Sequence, residues 1–237
     1  MRFPAPLERG RLLRRYKRFL ADVLLDSGAE VTAHTANPGA MTGLAIPGSE
    51  VYLSHHDRPA RKLKYSWELV RAGETLVGVN PLLANTLAAE AVEAGRLPAL
   101  SGYARLRREV RLPTTEGRGS RIDLRLEGHP ERPPAWVEVK SVTLAEGPLA
   151  LFPDAVTARG RKHLVELERV VRRGERGAML FVVQRGDCEA FAPADAVDPA
   201  YGETLRAVAA AGVELYAQRA RVCPAGIELE GPLPVRL

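Results

Sequence analysis

The chain has 237 residues, 46% of them hydrophobic, which fits one large or two small domains with a buried core. Its formal net charge of +5 favours a polyanionic partner. No apolar run approaches membrane-spanning length, the N-terminus lacks the apolar region of a secretory signal, and Cys188 and Cys223 have no CxxC spacing. These features argue against a membrane partner, secretion and a zinc site, and they predict a cytoplasmic protein.

Five segments before residue 80 have the pattern of strands, and turn residues separate them. They are residues 11–25, 30–35, 50–55, 61–70 and 75–79. Five short strands in this order predict a small closed, OB-like β-barrel. We place a domain boundary near Asn80 and Pro81, which gives domains of residues 1–80 and 81–237.

The start of the chain carries most of the surplus positive charge, because seven basic residues lie between Arg2 and Arg18 and only Glu8 opposes them. Basic and aromatic side chains on a barrel can follow a phosphate backbone and stack on a base. The candidate contacts are Arg14, Arg15, Tyr16, Lys17, Arg18 and Lys64. The alternative is that the aromatic residues belong to the core of a basic strand. We expect Phe19 in the core and leave Tyr16 open.

After residue 81 the pattern changes to a succession of helices and strands. A 3.6-residue period predicts helices over residues 82–95 and 158–173, with Thr157 as the cap of the second. Asp198 and Pro199 are predicted to start a third helix that ends at residue 211. The predicted strands cover residues 103–112, 119–126, 135–142, 178–184, 213–217, 219–222 and 226–230. Strand 178–184 is apolar throughout, so we expect it at the centre of the sheet. Residues 143–156 are predicted to be irregular. The order predicts an α/β (α+β) domain with a mixed central sheet.

The candidate site lies on strands 119–126 and 135–142. Both alternate with period two, and the Gly- and Pro-containing link between them predicts an antiparallel hairpin. The core-facing residues of the first strand are predicted to be Ile122, Leu124 and Leu126. Asp123 is then expected to lie with Glu138 and Lys140 on the opposite side of the sheet.

Two carboxylates and a lysine on one patch of sheet suit phosphodiester chemistry assisted by Mg²⁺ or Mn²⁺, with Asp123 and Glu138 as the metal ligands. Mg²⁺ prefers one or two carboxylates together with water and phosphate oxygens. A nearby lysine can depress the pKa of a water or stabilise charge that develops on the phosphate. The alternative interpretation is a solvated strand face with a cross-strand ion pair. The pattern of an Asp, a gap and Glu-x-Lys is short, and alone it favours the ion pair.

A second basic surface is predicted beside this hairpin. Arg159 and Lys162 lie on one face of the helix over residues 158–173, and Arg121 lies on the polar face of the first hairpin strand. We predict that these three residues contact phosphates. A solvated helix face is the alternative.

Seven stretches of the chain resemble, in order, the sugar fermentation stimulation protein A (SfsA) family. They are residues 15–23, 37–41, 64–70, 120–123, 137–143, 152–155 and 159–164. The family is described as DNA-binding, with a proposed regulatory role in sugar metabolism. The resemblance therefore implies a DNA partner, and it implies an OB-like barrel joined to a domain of the PD-(D/E)xK nuclease type.

By that resemblance Asp123, Glu138 and Lys140 occupy the signature positions of PD-(D/E)xK nucleases. An acidic residue on the first helix often joins them, and Glu90 matches that place best. Glu109, on the neighbouring strand, is its rival. The residue before Asp123 is isoleucine rather than proline, which is a tolerated departure from the pattern.

Two functions follow from these residues and this resemblance. The first is a DNA-binding protein with little sequence readout that regulates sugar metabolism genes. The alternative is a Mg²⁺-dependent DNA endonuclease, in which Glu90 and the Val139 carbonyl assist the metal ligands and Lys140 activates the attacking water. No sugar-binding constellation supports a third class, a ligand-sensing regulator. The oligomeric state is left open, with a homodimer among the options.

Overall fold

The computed structural model describes residues 1–113 and 119–237, and its N-terminal part is a barrel. Six strands build this part: β1 (Glu8–Tyr16), β2 (Leu20–Leu25), β3 (Glu30–His34), β4 (Glu50–His55), β5 (Tyr65–Ala72) and β6 (Thr75–Gly78). They lie in the order β3-β2-β1-β4-β5-β6, and a parallel pairing of β3 with β5 closes β1–β5 into a ring. The predicted closed barrel is confirmed, but its five strands are β1–β5, and the predicted strand 75–79 pairs with β5 outside the ring as β6.

The first predicted strand, residues 11–25, is in fact two strands. Lys17 and Arg18 form a tight turn with φ angles of 46° and 64°, which allows β2 to pair back on β1. Positive φ is uncommon for residues other than glycine. Since no glycine or proline marks this turn, the residue pattern does not reveal it.

Phe19 lies outside the barrel core, so its predicted burial is wrong. The ring is 41% exposed and stacks near His34, with 6.3 Å between ring centroids. The barrel interior is filled by other side chains, including Leu12, Leu53 and Trp67. Phe19 directly follows the turn and precedes β2, so it has no inward-facing strand position.

The second part of the chain is built on a six-stranded mixed sheet. Its strands are β7 (Arg105–Arg111), β8 (Arg121–Glu127), β9 (Ala135–Val142), β12 (Arg176–Val183), β14 (Glu214–Cys223) and β15 (Gly226–Leu233). The order is β15-β14-β12-β9-β8-β7, with β9, β12 and β14 parallel and the other pairs antiparallel. Strand β12 lies inside the sheet and is almost entirely buried, which confirms its predicted central position.

Three helices cover the two faces of this sheet: α1 (Leu82–Glu93), α2 (Ala158–Val171) and α3 (Pro199–Ala210). Helix α1 packs on one face, and α2 and α3 pack on the other. The predicted cap of α2 is confirmed, because the Thr157 hydroxyl accepts a hydrogen bond from the Gly160 amide over 3.1 Å. Among the described residues no helix is long and apolar enough to span a membrane.

A small second sheet and one long strand differ from the prediction. Residues 143–156, predicted to be irregular, contain β10 (Leu144–Glu146) and β11 (Leu149–Phe152), which pair with each other, and β11 pairs with β13 (Ala190–Pro193). The predicted strands 213–217 and 219–222 are continuous as β14, with an irregularity at Arg219. Strands of three or four residues are too short to show a period of two in the sequence.

The sheet opens at Asp123, and this opening positions the site. Ile122 packs in the core beneath α2 and α3, whereas Leu124 packs with α1, so their predicted shared face is wrong. Glu109 of β7 stands opposite Asp123 with a φ of 55°, and pairing is interrupted there. Pairing of β8 with β9 also ends at Leu124 and Val137. The chain therefore twists at Asp123, and this residue has no strand-pairing partner in the described part of β7 or β9.

The barrel is attached to the second domain beside this opening. The Gly78 amide donates to the Gln184 carbonyl over 2.8 Å, and a Cβ at Gly78 would overlap the Gln184 side chain. The Gln184 amide group donates to the Ser141 hydroxyl over 2.7 Å and to the Asn80 carbonyl over 3.2 Å. Gln184 is fully buried, so these contacts fix the barrel next to the end of β9.

Candidate active site

Asp123 is held by side-chain contacts at the point where β8 leaves β9. Its Oδ2 atom accepts a hydrogen bond from the Val139 amide over 2.8 Å. Its Oδ1 atom accepts one from Nδ2 of Asn85 in α1 over 2.7 Å. The Asp123 carboxylate thus accepts a hydrogen bond from a backbone amide of β9, and it is fixed between the sheet and α1.

Glu138 is the most deeply buried acid of the site, with 2% of its surface exposed. Its Oε1 atom accepts a hydrogen bond from Lys140 Nζ over 2.5 Å and also contacts Nδ1 of His163 in α2. Its Oε2 atom is buried and has no hydrogen-bond partner among the described residues. An unpartnered buried carboxylate oxygen is costly, so this atom is the natural place for an additional ligand.

The two carboxyl groups have different proton affinities. Burial, and then the charge of Glu138, raise the pKa of Asp123 to about 6. Burial also acts to raise the pKa of Glu138, but the His163 hydrogen bond and the Lys140 charge outweigh it and hold that pKa below its usual value. Near neutral pH both groups are mainly ionised, so two buried negative charges lie together with Lys140 as one compensating cation.

These side chains line a cleft of about 550 Å³ that both domains build. From the second domain come β9, the start of α1, residues 151–157 and Arg159. From the barrel come residues 36–39. Asp123, Glu138 and Lys140, which the sequence predicts to lie together, all line this cleft.

Arg15 fixes the barrel side of the cleft. Its guanidinium donates to the carbonyls of Asn37, Gly39 and Ala40 over 2.9, 3.0 and 3.2 Å. Across the cleft, Asp154 Oδ2 accepts a hydrogen bond from the Met41 amide over 3.3 Å. The Arg15 guanidinium, which was predicted to contact DNA, therefore binds carbonyl groups within the protein. We call residues 36–41, which include these carbonyls, the barrel loop.

We expect Arg15→Ala to lower the free energy of unfolding by about 2 kcal/mol, because it leaves several partly buried carbonyls without a donor. Arg14→Ala is the matched control, since Arg14 is an exposed neighbour that pairs with Asp22. Urea unfolding of both variants measures the difference. An Arg15→Ala protein as stable as Arg14→Ala would contradict the structural role of Arg15.

Two family models match this chain. Residues 13–79 match the SfsA N-terminal OB domain, and residues 82–226 match the sugar fermentation stimulation protein RE domain. This chain belongs to the sugar fermentation stimulation protein family. Residues 80 and 81 lie between the two matched segments.

Relatives with the same overall length support this assignment. The chain is 56% identical to sugar fermentation stimulation protein homologs of Maricaulis maris and Geobacter metallireducens, over 100% of this chain and 99% and 100% of those proteins. It also resembles a solved structure described as Pyrococcus furiosus SfsA in complex with Ca²⁺. That match has a TM-score of 0.87 and 27% identity, and it covers 100% of this chain and 98% of the other.

The acid predicted on the first helix of this family member does not reach the cleft. Glu90 Oε2 pairs instead with the amino group of Met1 over 2.8 Å. Asn85 contacts Asp123 in its place, and Glu90 lies five residues later, about 140° further around the helix. The rival, Glu109, is exposed and approaches Arg121 at 3.9 Å.

Two residues of the site were not singled out from the sequence. Asn85 carries no signal that distinguishes it from any polar residue of a helix. His163 interrupts the apolar stripe of α2 beside Leu164, and it is 2% exposed. A buried histidine on such a stripe is usually a core residue, and only its contact with Glu138 reveals its place in the site.

Most of the basic and aromatic residues predicted on the barrel have partners within the protein. Arg14 donates to Asp22 over 2.8 Å and lies over the Tyr16 ring, and the Tyr16 hydroxyl donates to Asp22 over 3.1 Å. Lys64 Nζ donates to the Arg58 carbonyl over 2.9 Å. The side chains of the turn, Lys17 and Arg18, are exposed. Among the described residues, these two side chains of the predicted barrel set make no hydrogen bond or ion pair.

The three predicted phosphate contacts of the second domain lie together. Arg121, Arg159 and Lys162 line a groove next to the cleft, and Arg159 and His163 line both. Their ion pairs are long: Arg121 lies 3.9 Å from Glu109, and Lys162 lies 3.8 Å from Glu166. This basic groove therefore offers weakly engaged cations beside the buried carboxylates.

Proposed function

We propose that this protein is a divalent-metal-dependent nuclease that hydrolyses phosphodiester bonds in DNA. One observation carries the proposal: the buried Oε2 atom of Glu138, which has no hydrogen-bond partner within residues 1–113 and 119–237, lies in a cleft with Asp123 and Lys140. The acidic side chains that line the cleft outnumber the basic ones, since Asp123, Glu138 and Asp154 face Lys140 and Arg159, and this negative formal charge favours a cation. We expect the protein to act in the cytoplasm, as its sequence predicts.

The residues present fit a hard divalent cation such as Mg²⁺ or Mn²⁺. Asp123 and Glu138 would hold it, together with the Val139 carbonyl. No cluster of three or more Asp, Glu, His or Cys side chains with metal-binding geometry occurs among residues 1–113 and 119–237. Mg²⁺ commonly takes only one or two carboxylates and completes its shell with water and phosphate oxygens. The Pyrococcus furiosus relative is described as a complex with Ca²⁺, which is a hard divalent cation like Mg²⁺.

Held by Asp123 and Glu138, such a cation would supply Lewis-acid chemistry, which neutralises charge on a phosphate and makes water more acidic. Lys140 and His163 hold Oε1 of Glu138, which leaves Oε2 as its available ligand atom. As an ammonium, Lys140 also lowers the pKa of an adjacent water and stabilises negative charge on the phosphate as the phosphorus–oxygen bond breaks. Asn85 and the Val139 amide keep Asp123 in place.

DNA would be bound through its phosphates. Arg121, Arg159 and Lys162 are weakly engaged and lie beside the cleft, so they would contact the backbone with little sequence readout. The same groove favours a second candidate function, a DNA-binding regulator that does not cut. In either case binding should weaken steeply as salt rises, and binding that is insensitive to salt would argue against a DNA partner.

The test of the proposed function is to incubate labelled circular single-stranded DNA and supercoiled plasmid with the protein in Mg²⁺, Mn²⁺ or EDTA. We expect cleavage with either metal and none in EDTA. Intact DNA of both forms in every metal would contradict the nuclease. A mobility shift without cleavage would then support the DNA-binding alternative.

The pKa of Asp123 predicts how metal binding depends on pH. Protons compete for this carboxylate as the pH falls through about 6, so Mn²⁺ should raise the melting temperature strongly at about pH 7.5 and little at about pH 5. Without metal, the stability of the folded protein changes with pH in the opposite direction. The raised folded-state pKa means that Asp123 contributes stability at low pH, and that this contribution is lost as pH rises through about 6. Melting curves in Mn²⁺ and in EDTA across this range measure both effects. A Mn²⁺ shift that is independent of pH would contradict the assignment.

A further inference from the structure

Two exposed apolar side chains line the cleft. Leu82, at the start of α1, is 70% exposed, and Val156, just before α2, is 71% exposed. They are the two most exposed large hydrophobic side chains among the described residues. Single exposed apolar residues are normal on a protein surface, but two at one cleft indicate a surface that a ligand covers.

The chemistry of the cleft differs between its parts. Arg159 lines the cleft, as Val156 does, and it also lines the basic groove together with Lys162. Apolar side chains gain nothing from phosphates, which a DNA duplex presents on its outside. They gain free energy from the faces of unstacked bases, which a single strand exposes. Cations and apolar side chains at one cleft therefore match a strand whose backbone and bases are both accessible.

The reactive groups are also recessed. Glu138 is 2% exposed, and the Lys140 side chain is 16% exposed. The barrel loop forms a fixed side of the cleft, because Arg15 holds its carbonyls and a Cβ at Gly39 would overlap the Asp154 carboxylate. A flexible strand can enter such a cleft and bring a phosphate to the carboxylates. A stacked duplex presents its phosphates on a stiff outer surface, which matches a recessed group of carboxylates less well.

We infer that the substrate of this cleft is single-stranded DNA, or the unpaired part of a duplex, with Leu82 and Val156 in contact with its bases. This inference rests on the proposed nuclease function and adds the form of the substrate. Duplex DNA is then a poor substrate except where it opens.

The experiment measures binding and cleavage separately with a labelled oligonucleotide and its blunt duplex. Binding is followed by fluorescence anisotropy in EDTA, and we expect the single strand to bind about tenfold more tightly. Leu82→Ser/Val156→Ser should remove that preference. Ile46→Ser is the matched control, because Ile46 is 56% exposed and does not line the cleft, and it should bind like wild type.

Equal or tighter binding of the duplex, or an unchanged preference in the double variant, would overturn the inference. Cleavage of both forms in Mn²⁺ at equal rates would also overturn it, while leaving the nuclease intact. Preferential binding of the single strand without cleavage of any DNA in Mn²⁺ would support the substrate form and refute the nuclease. The two proposals therefore fail in distinguishable ways.

Discussion

Glu138→Gln is expected to lower the rate of metal-dependent DNA cleavage by at least about a thousandfold. Glutamine keeps the shape of the side chain but loses the charge that would hold the cation and that pairs with Lys140. Metal ions supply several kcal/mol of transition-state stabilisation, which corresponds to a rate factor of about this size. Single-turnover cleavage of labelled single-stranded DNA in Mn²⁺ measures the effect.

The control for this variant is Glu90→Gln. Glu90 is the acid that the family pattern favours on the first helix, yet it pairs with the Met1 amino group outside the cleft. Its replacement should leave the cleavage rate within about twofold of wild type, since surface ion pairs contribute little. A Glu138→Gln protein that is folded by circular dichroism and cuts at a rate near wild type would refute the proposed role of Glu138.

Lys140→Met is expected to slow cleavage about a hundredfold while Mn²⁺ binding persists. Methionine fills a similar volume but cannot donate to Glu138 Oε1 or stabilise charge on the phosphate. Loss of one such donor in other enzymes costs a factor of about 10²–10³ in rate. Both carboxylates remain in this variant, so the cation should still bind. Cleavage rates and the Mn²⁺-induced melting shift separate the two properties.

Lys162→Met is the matched control for the lysine. Lys162 is exposed and lies in the basic groove at 3.8 Å from Glu166, outside the group of buried carboxylates. Its loss should weaken DNA binding and reduce its salt dependence, with little change in the rate from the bound state. If Lys140→Met cut DNA as fast as Lys162→Met at saturating protein, Lys140 would have no part in the chemistry.

Much of the fold follows from patterns that act over a short range. The apolar run of β12 predicted a central strand, the Thr157 cap marked the start of α2, and Asp198 marked the start of α3. The turn at Lys17 and Arg18 was missed because both residues adopt positive φ, and no glycine in the sequence indicates a turn there. The strands of the small sheet were missed because each is stabilised by neighbours distant in sequence rather than by its own pattern.

The site was predictable in part for the same reason. Asp123, Glu138 and Lys140 stand on adjacent strands joined by one turn, so their proximity was predictable, although the predicted alternation of faces was wrong at Asp123. The change of face at Asp123 depends on Glu109 across the sheet, and the Asn85 contact depends on how α1 packs. Such contacts are set by tertiary structure, which also explains why Arg15, predicted to bind DNA, holds the barrel loop instead.

The proposed metal site is measured most directly by a calorimetric titration of the metal-free protein with Mn²⁺, without DNA, for wild type and Glu138→Gln. We expect about one ion bound per wild-type chain and no measurable binding to the variant. The reason is that Glu138 would supply the only buried carboxylate oxygen of the cleft left without a hydrogen bond among the described residues. Equal Mn²⁺ binding by the two proteins would contradict the assignment of Asp123 and Glu138 as the metal site.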